Sequence, residues 1–482
     1  MVTEGTVTTI GNWIDGSERP ARGTFSKVSP VTGRALAEVA RADERDVGDA
    51  VDAATRAFDA WSSTTPVRRG EILYDVVLAL RANRERMAAI VAEETGKSRK
   101  EALGETDGAI AQGLFMAGEG RRLHGHTLPS GTAHRSAMTV RTPVGVAALI
   151  IAANTPIANV AWKVFPALVC GNTAVLKASE DAPATAMLFA KLAHEAGLPA
   201  GVLNVVHGRE AGAPLTAHRG VDVISFTGST SVGREIAKVG GERLAKVFLE
   251  LGGKNPFVVC DDADLDLATR WAALSAFSNA GQRCAAGSRI IVFDAVYDAF
   301  RERLLARTNA LRVGPNDDDD LGPVISQRQL DQMLGAVARA KASGAKILAG
   351  GDRLPRDGFF MAPTLIEASP PESELSQTEL FGPISTLYRV PDFAAALRLA
   401  NQSVYGLTAC IHTTNLHRAF EFTRRVQAGV VSVNAGTYGS EPHFPFGGVK
   451  NSGNGLREPG TEALDVYSEW KTIHFTTDPA RV

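Results

Sequence analysis

Hydrophobic and polar positions divide the chain into helical and strand-like segments. Residues 43–61 open with acidic residues, and apolar residues then recur at helical spacing, at Val47, Val51, Ala54 and Phe58. The same spacing continues over residues 66–95 after Pro66, a residue that is common at the first position of a helix. The pattern therefore predicts two N-terminal helices.

Short apolar runs begin at residue 144 and alternate with helical segments. The run Val144–Ala152 lacks alternation, as in a strand that is buried on both faces. Further strands are predicted at 174–176, 202–206, 221–226 and 246–251, with helices near 158–169, at 183–196 and after Gly228. This repeated strand–helix order predicts a parallel sheet with helices on both faces.

A second alternating block extends from residue 255 to about 435. The predicted strands are 256–260, 289–293, 387–390 and 429–433, and the predicted helices are 326–343, 392–401 and 415–426. A chain of 482 residues needs more than one core, because a single core rarely grows beyond roughly 250–300 residues. We therefore expect an α/β fold with two doubly wound parallel-sheet domains and a boundary near Gly252-Gly253.

Composition excludes several classes of partner. The 51 basic and 53 acidic residues give a net charge of -2, which does not favour nucleic acid or an anionic membrane. No apolar run is long enough for a transmembrane helix, and the first residues lack the pattern of a signal peptide. The four cysteines are scattered and form no CxxC pair, so we expect no disulfide framework and no metal site. These observations predict a cytoplasmic protein.

Two residues are candidates for covalent chemistry. Cys284 lies among small residues in SNAGQRCAAGSR, where backbone amides and Arg283 are expected to lower its pKa and make it a nucleophile. The alternative is a core thiol. Glu250 ends a predicted strand before two glycines, and apolar surroundings would raise its pKa toward that of a general base. The alternative is a surface glutamate at a turn.

Three further segments have features of a ligand site. The turn Gly228–Gly233 leads from a strand into a helix, whose N-terminus favours an anion such as pyrophosphate. Lys177 and Glu180 follow another strand, and an acid there can bind ribose hydroxyls and repel the additional phosphate of NADP. Asn154 follows the strand 144–152 and can donate to an oxyanion. For each, an ordinary turn residue is the alternative.

Six segments together resemble the aldehyde dehydrogenase superfamily, over roughly residues 10–475. They are, in order, AANTPIANVAWKVFPALVCGNTAVLKASE, VISFTGSTSVGREIA, VFLELGGKNPFVV, NAGQRCAAGSR, TELFGPI and PFGGVKNSGNG. The resemblance implies a dinucleotide-binding domain of residues 1–120 and 141–252 and a catalytic domain of residues 253–450. It also implies a small β element of residues 121–140 and 451–482 that joins subunits into a homodimer or homotetramer.

The resemblance also assigns roles to individual residues. For catalysis it implies the nucleophile Cys284, the general base Glu250, the oxyanion donor Asn154 and, beside the substrate tunnel, Trp162 and Lys163. For NAD binding it implies Lys177, Glu180, Gly228, Ser229, Gly233, Glu379 and Phe381, and more loosely Gln329. The implied reaction oxidises an aldehyde to a carboxylate with NAD and water, through a thioester on Cys284.

Departures from the family pattern leave the substrate open. Ala153 and Thr155 stand where the family often has tryptophan and phenylalanine, and Ala178 replaces a proline. Arg283 suggests an acidic aldehyde, unless it forms a structural ion pair; Glu441, His443 and Phe444 are further candidates for the tunnel border. Alternative functions are thioester transfer to coenzyme A, a thiol hydrolase without cofactor and a non-catalytic family member.

Overall fold

The computed structural model describes residues 8–481. Met1–Val7 of the predicted dinucleotide-binding domain and Val482 of the predicted β element lie outside the described residues. In chain order its strands are β1 Thr8–Ile10, β2 Asn12–Ile14, β3 Ser17–Arg19, β4 Gly23–Val28, β5 Ala35–Arg41, β6 Thr127–Leu128, β7 Arg135–Pro143, β8 Val146–Ile150, β9 Thr173–Lys177, β10 Leu203–Val206, β11 Val223–Thr227, β12 Lys246–Glu250, β13 Pro256–Val259, β14 Arg289–Phe293, β15 Lys346–Ala349, β16 Thr364–Glu367, β17 Ile384–Val390, β18 Tyr405–Gly406, β19 Thr408–His412, β20 Val430–Val433, β21 Val449–Lys450 and β22 Ser468–Thr476.

The helices cover both faces of the larger sheets. They are α1 Glu44–Ser63, α2 Pro66–Ala82, α3 Arg84–Thr95, α4 Arg99–Glu119, α5 Pro156–Val169, α6 Pro183–Glu195, α7 Gly212–Ala217, α8 Thr230–Glu242, α9 Leu265–Phe277, α10 Asp294–Ala310, α11 Gln327–Ala342, α12 Glu374–Gln377, α13 Phe393–Asn401, α14 Leu416–Arg425 and α15 Ala463–Val466.

The first large sheet has the strand order β12-β11-β8-β9-β10-β2-β3. Its five strands from β12 to β10 are parallel, whereas β2 and β3 add an antiparallel edge. Alternate residues of β8 enter two different cores: Ala147 and Leu149 face one, and Val146, Ala148 and Ile150 the other. Burial on both faces explains why these strands are continuous apolar runs.

The second large sheet has the order β15-β16-β17-β14-β13-β19-β20, parallel except for β15. Phe257 and Ile290 face the core under α9 and α10, while Val258 and Ile291 face the core under α13 and α14. The predicted α/β class with two doubly wound sheets is confirmed, with antiparallel edge strands that the sequence pattern did not indicate.

The N-terminal region differs from the prediction. The helix expected over residues 66–95 is interrupted at Asn83, which ends α2 and precedes α3, and α4 was not predicted. Two further sheets have three strands each: β1-β5-β4, and β22-β7-β6, which pairs Ser468–Thr476 with residues 135–143. Among residues 8–481 no helix combines the length and apolar character of a membrane span.

Candidate active site

A cavity of about 780 Å³ lies between the two large sheets and contains most of the candidate residues. From the first sheet it is lined by residues at or after the carboxyl ends of parallel strands: Asn154 after β8, Gly228 and Ser229 after β11, and Glu250 at the end of β12. From the second sheet it is lined by residues in segments that lead into strands: Cys284 before β14, and Glu379 and Phe381 before β17. The structure therefore brings together residues that are far apart in the sequence.

Glu250 is buried, although it is the last residue of a strand. It pairs with Thr227 of β11 and is 3% exposed. Both of its carboxylate oxygens are buried without a hydrogen-bond partner among the described residues. Burial raises the pKa of Glu250 well above its ordinary value, and the charge of Glu458 adds to this, whereas Lys163 opposes it. The side chain lines the cavity and is thus suited to accept a proton.

Cys284 is held by an unusual backbone segment. Asn279, Ala280 and Gly281 all have positive φ angles of 52°, 51° and 67°, a conformation that residues other than glycine rarely adopt. The side-chain amide of Asn255 donates to the carbonyl oxygens of Cys284 at 2.8 Å and Ala286 at 2.9 Å. These bonds fix the loop, so the sulfur is presented to the cavity from a rigid backbone.

The sequence predicted a lowered pKa for Cys284, and this prediction is wrong for the protein without bound ligands. Burial, reinforced by the negative charges of Glu250 and Glu379, raises the pKa of the thiol. The Ala285 amide and Arg283 act in the opposite direction, but they are outweighed. The reason is tertiary: two carboxylates from other parts of the chain face the sulfur, whereas the sequence showed only its local neighbours.

Asn154 lines the cavity beside Cys284, and buried charges outside the cavity hold its backbone. Its carbonyl oxygen accepts hydrogen bonds from Lys97 Nζ at 2.8 Å and Asn279 Nδ2 at 3.1 Å. Lys97 also pairs with Glu105 at 2.5 Å, and both side chains are about 5% exposed or less. Asn279 thus ties the Asn154 turn to the loop that carries Cys284. Sequence reasoning missed these three supporting residues, because nothing local distinguishes them.

The turn after β11 forms one wall of the cavity next to a helix N-terminus. Ser229 caps α8, accepting a hydrogen bond from the Val232 amide, and Gly228, Ser229, Ser231 and Val232 line the cavity. Free amides at the start of a helix bind anions. Gly233 does not line the cavity: it is buried, and a Cβ there would collide with Leu251. This glycine allows α8 to pack closely against Leu251, and the cavity wall does not include it.

The opposite wall carries Glu379, Phe381 and Gln329. Glu379 accepts a hydrogen bond from the Gly253 amide at 3.0 Å, and burial raises its pKa to about 7. A Cβ at Gly252 would overlap the Glu379 carboxylate, so the absence of a side chain at Gly252 leaves room for that carboxylate beside the Gly253 amide. Phe381 has a φ of 56°, and Gln329 Nε2 donates to the neighbouring Leu380 carbonyl at 2.6 Å. All three side chains line the cavity.

Lys177 and Glu180 lie at the far end of the cleft. Lys177 is the last residue of β9 and donates to Glu180 at 3.2 Å. Although burial opposes ionisation of Glu180, the charge of Lys177 and its hydrogen bond keep the pKa of that carboxyl below its ordinary value. Glu180 lines a second cavity, of about 280 Å³, which shares Arg209 and Arg328 with the first. The cleft therefore extends from Cys284 to Glu180.

Comparison with known proteins identifies the family. The profile of the Aldehyde dehydrogenase family matches residues 13–473. The chain belongs to the aldehyde dehydrogenase family. One relative, the alpha-ketoglutaric semialdehyde dehydrogenase of Bacillus subtilis, is 39% identical over 436 residues, which are 89% of this chain and 89% of the relative.

Solved structures of aldehyde dehydrogenases share the fold. The betaine aldehyde dehydrogenase of Staphylococcus aureus, solved in complex with NAD+, has a TM-score of 0.95 at 32% identity, covering 97% of this chain and 95% of that one. An Escherichia coli enzyme described as NADP dependent has a TM-score of 0.94 at 35% identity, covering 98% of each chain. The family and the enzyme class predicted from the sequence are confirmed.

Lys163 of this aldehyde dehydrogenase does not lie beside the cavity, contrary to the prediction. Its neighbour Trp162 lines the cavity, but Lys163 is fully buried on the other side of α5. Lys163 Nζ donates to Glu458 at 2.9 Å and to Ser225 at 2.7 Å, and Tyr467 donates to the same glutamate at 2.7 Å. Successive residues of a helix point in different directions, so a segment match cannot decide which of two neighbours faces the cavity.

The candidate substrate residues of this aldehyde dehydrogenase are also placed differently from the prediction. Arg283 lies 3.8 Å from Glu101 and above the ring of Tyr438, at 5.0 Å from its centroid, and is not part of the cavity wall. The ion-pair alternative is thus favoured. Glu441, His443 and Phe444 are exposed and do not line the cavity. Trp162 and Phe446, which belong to the same apolar cluster as Cys284, line the cavity, and Thr155 and Ala158 line it as well.

Proposed function

We propose that this aldehyde dehydrogenase oxidises an aldehyde to the carboxylic acid with NAD and water. The observation that carries the proposal is the shared cavity of Cys284 and Glu250, which continues to the N-terminus of α8. A nucleophile, an unpaired buried base and an anion site in one cleft match the needs of the reaction. The presence of the base argues against transfer of the acyl group to coenzyme A, because that transfer does not need a base that activates water.

The residues of the cleft fit a dinucleotide. The amides at the start of α8 suit the pyrophosphate. Glu379 suits one ribose of the dinucleotide, and Lys177 and Glu180 suit the other. Phe381 provides an apolar surface at the Cys284 end of the cleft. A bound NAD would supply the acceptor for the hydride of the substrate carbon.

The residues of the chain perform the remaining steps. The Cys284 sulfur attacks the aldehyde carbon, and its proton leaves to solvent, directly or through Glu250, so that Glu250 is again unprotonated for the later step. Asn154 and the Cys284 backbone amide donate to the oxygen, which becomes negative in this step. After loss of the hydride the carbon is held as a thioester. Glu250 takes a proton from water, and the resulting hydroxide releases the acid and restores the thiol.

Turnover of a panel of aldehydes, followed by NADH absorbance, tests this function. Cys284→Ala is the blank and should show no turnover above background. Product analysis with and without coenzyme A separates the carboxylic acid from an acyl thioester. Absence of NADH formation with every aldehyde, from protein that is folded, would overturn the proposal.

We further propose an uncharged aldehyde as substrate. The wall beside Cys284 is made of small and aromatic side chains, and no cation of the described chain is part of it. Arg209 and Arg328 lie at the Glu180 end, and Arg339 pairs with Glu374 at 2.7 Å. The name of the Bacillus subtilis relative makes an acidic semialdehyde the alternative. Comparing kcat/KM for an apolar and a carboxylate-bearing aldehyde of equal length decides between them.

A homo-oligomer in a reducing, cytoplasmic environment is part of the same proposal. The sheet β22-β7-β6 exposes Leu128, Trp470 and Phe475, as expected of a surface that joins subunits. The four cysteines are free, and three of them are buried. Sedimentation analysis of the enzyme tests the assembly: a monomer at assay concentration would contradict it.

A further inference from the structure

Three charged residues at the start of α4 lie behind the wall of the main cavity. Lys97 comes shortly before the helix, and Glu101 and Glu105 are one turn apart on it, so the two glutamates share a face. The side chains of Lys97 and Glu105 are only 3% and 5% exposed, and that of Glu101 is 20% exposed. None of the three lines the cavity. We call these residues the α4 cluster, and each of them contacts a segment that contributes to the cavity wall.

Glu105 and Lys97 hold the turn that carries Asn154. Glu105 Oε1 accepts hydrogen bonds from the backbone amides of Ile157 at 2.9 Å and Ala158 at 3.3 Å, in the first turn of α5. The residue before α5 provides no side-chain cap, so Glu105 satisfies amides that a cap would otherwise satisfy. Glu105 Oε2 accepts from Lys97 Nζ at 2.5 Å, and the same amine donates to the Asn154 carbonyl at 2.8 Å. The Asn154 turn is therefore held at its carbonyl and at the helix that follows it.

Glu101 holds the loop that carries Cys284. Its Oε1 accepts a hydrogen bond from the Asn279 amide at 2.8 Å, and the Arg283 guanidinium lies 3.8 Å from the same oxygen. Asn279 opens the left-handed segment of that loop, with a φ of 52°. Its side chain in turn donates to the Asn154 carbonyl at 3.1 Å. Two neighbouring turns of one helix thus contact both the Cys284 loop and the Asn154 turn.

The separation of these two segments matters for the proposed chemistry. The oxyanion accepts from the Asn154 side chain, which follows a strand of the first sheet, and from the Cys284 backbone amide, which precedes a strand of the second. Such donors act only when both lie within hydrogen-bond distance of the oxygen whose charge develops. A displacement of about 1 Å can lower the rate by about 10²-fold. A left-handed segment of residues other than glycine persists only where its surroundings enforce it, and the α4 cluster is part of those surroundings.

We propose that the α4 cluster consists of positioning residues, which set the distance between the Asn154 side chain and the Cys284 backbone amide. The inference rests on the proposed oxidation of an aldehyde, because it assigns the cluster to the oxyanion of that reaction. Glu101 and Glu105 contact the two segments from one helix, so a change at either glutamate displaces one donor relative to the other. Lys97 neutralises Glu105 and joins it directly to the Asn154 turn.

Single-turnover formation of NADH at saturating NAD and aldehyde measures the step in which the oxyanion forms and decays. The double variant Lys97→Met/Glu105→Gln removes the amine without leaving its partner as an unpaired buried charge. We expect this variant to slow the step by about tenfold, with a dissociation constant for NAD within about twofold of the parent value. Glu101→Ala should slow the step to a similar extent. Glu101→Gln keeps an acceptor oxygen for the Asn279 amide and should retain most of the rate.

Coupling to Asn154 separates positioning from a general loss of structure. In the Asn154→Ala background the oxyanion has lost the donor that the cluster positions. Adding Lys97→Met/Glu105→Gln to this background should therefore slow NADH formation by less than about twofold further. Residues that only support the fold would reduce the rate by the same factor in both backgrounds. Equal factors would overturn the proposal.

Glu94→Gln is the matched control for the change at Glu105. Glu94 is also a buried glutamate at the first turn of a helix, where it accepts from the amides of Ala184 at 2.6 Å and Thr185 at 3.0 Å, but that helix is α6. Its replacement should leave the single-turnover rate of NADH formation unchanged. A loss of rate in this control equal to that of the double variant, or parent-like rates in the double variant and in Glu101→Ala, would overturn the proposal while the proposed function stands.

Circular dichroism of each variant shows whether it is folded. If the double variant does not fold, Glu101→Ala replaces it in the comparison with Asn154→Ala, because this side chain is partly exposed and its loss leaves no buried amine unpaired. Failure of the folded parent to form NADH with any aldehyde would overturn the proposed function and this inference together.

Discussion

The two ends of the cleft use carboxylates in opposite ways. At the Cys284 end, Glu250 is buried and has no hydrogen-bond partner among residues 8–481, and its pKa is raised by burial. At the other end, Glu180 is partly exposed and paired with Lys177, and its pKa lies below the ordinary value in spite of burial. The environment of Glu250 favours a group that takes up protons, and the environment of Glu180 favours a group that stays charged. The surroundings, and not the residue type, decide which task a glutamate performs.

Replacing Glu250 should have the largest effect on turnover. Glu250→Gln keeps the shape but cannot take a proton, so we expect steady-state turnover to fall by about 10²–10⁴-fold. The first turnover should still release NADH, because Cys284 and Asn154 are intact. Rapid mixing would show a burst of NADH and then a slow phase. Loss of the burst together with the steady state would contradict the role in hydrolysis.

Replacing Asn154 should affect the first chemical step instead. Asn154→Ala removes one donor to the oxygen of the substrate, and a loss of about 10²–10³-fold in kcat is expected. In contrast to Glu250→Gln, no burst of NADH should be seen, because the step that forms NADH itself becomes rate-limiting. Asn154→Ser, with a shorter donor, is the matched control and should lose less. Equal rates for both variants and the parent would exclude the oxyanion role.

Breaking the buried pair behind Glu250 should mainly reduce stability. Lys163→Met leaves the Glu458 charge buried without its partner, which costs about 3–5 kcal/mol in the free energy of unfolding. Glu458→Gln tests the same pair from the other side, and the double variant should lose less than the sum of the two. Denaturant unfolding measures these effects. Additive losses would show that the two residues act independently.

Replacing Glu379 should have the smallest effect and should appear in the pH dependence of NAD affinity. Its pKa is raised to about 7 by burial, so the carboxylate that accepts from a ribose is lost as the pH falls through that value. NAD should therefore bind more weakly at acidic pH, and Glu379→Gln should bind about tenfold more weakly with a flat profile. Titration of Lys254, whose pKa is also lowered by burial to about 7, would give the opposite slope.

Sequence reasoning succeeded where the local pattern and the chemistry coincide. Glu250 could be found because a charged residue at the end of an apolar strand is unusual and glycines follow it. It failed where the answer depends on distant residues: Lys163 points away from the cavity to Glu458, and the pKa of Cys284 is raised by burial and by the charges of Glu250 and Glu379. The supporting residues Lys97, Glu105 and Asn255 were missed for the same reason, since their partners lie far along the chain.

The sequence by itself determined the α/β alternation and the family, and it singled out Cys284 and Glu250 as candidates, because these depend on local periodicity and on short segments. Only the tertiary structure decided which groups meet and in what electrostatic state. The parallel strands of the first sheet end at one edge of that sheet. The segments that lead into strands of the second sheet lie against this edge. Burial there leaves Glu250 without a hydrogen-bond partner among residues 8–481 and opposes ionisation of Cys284, and neither property can be read from the residues next to them.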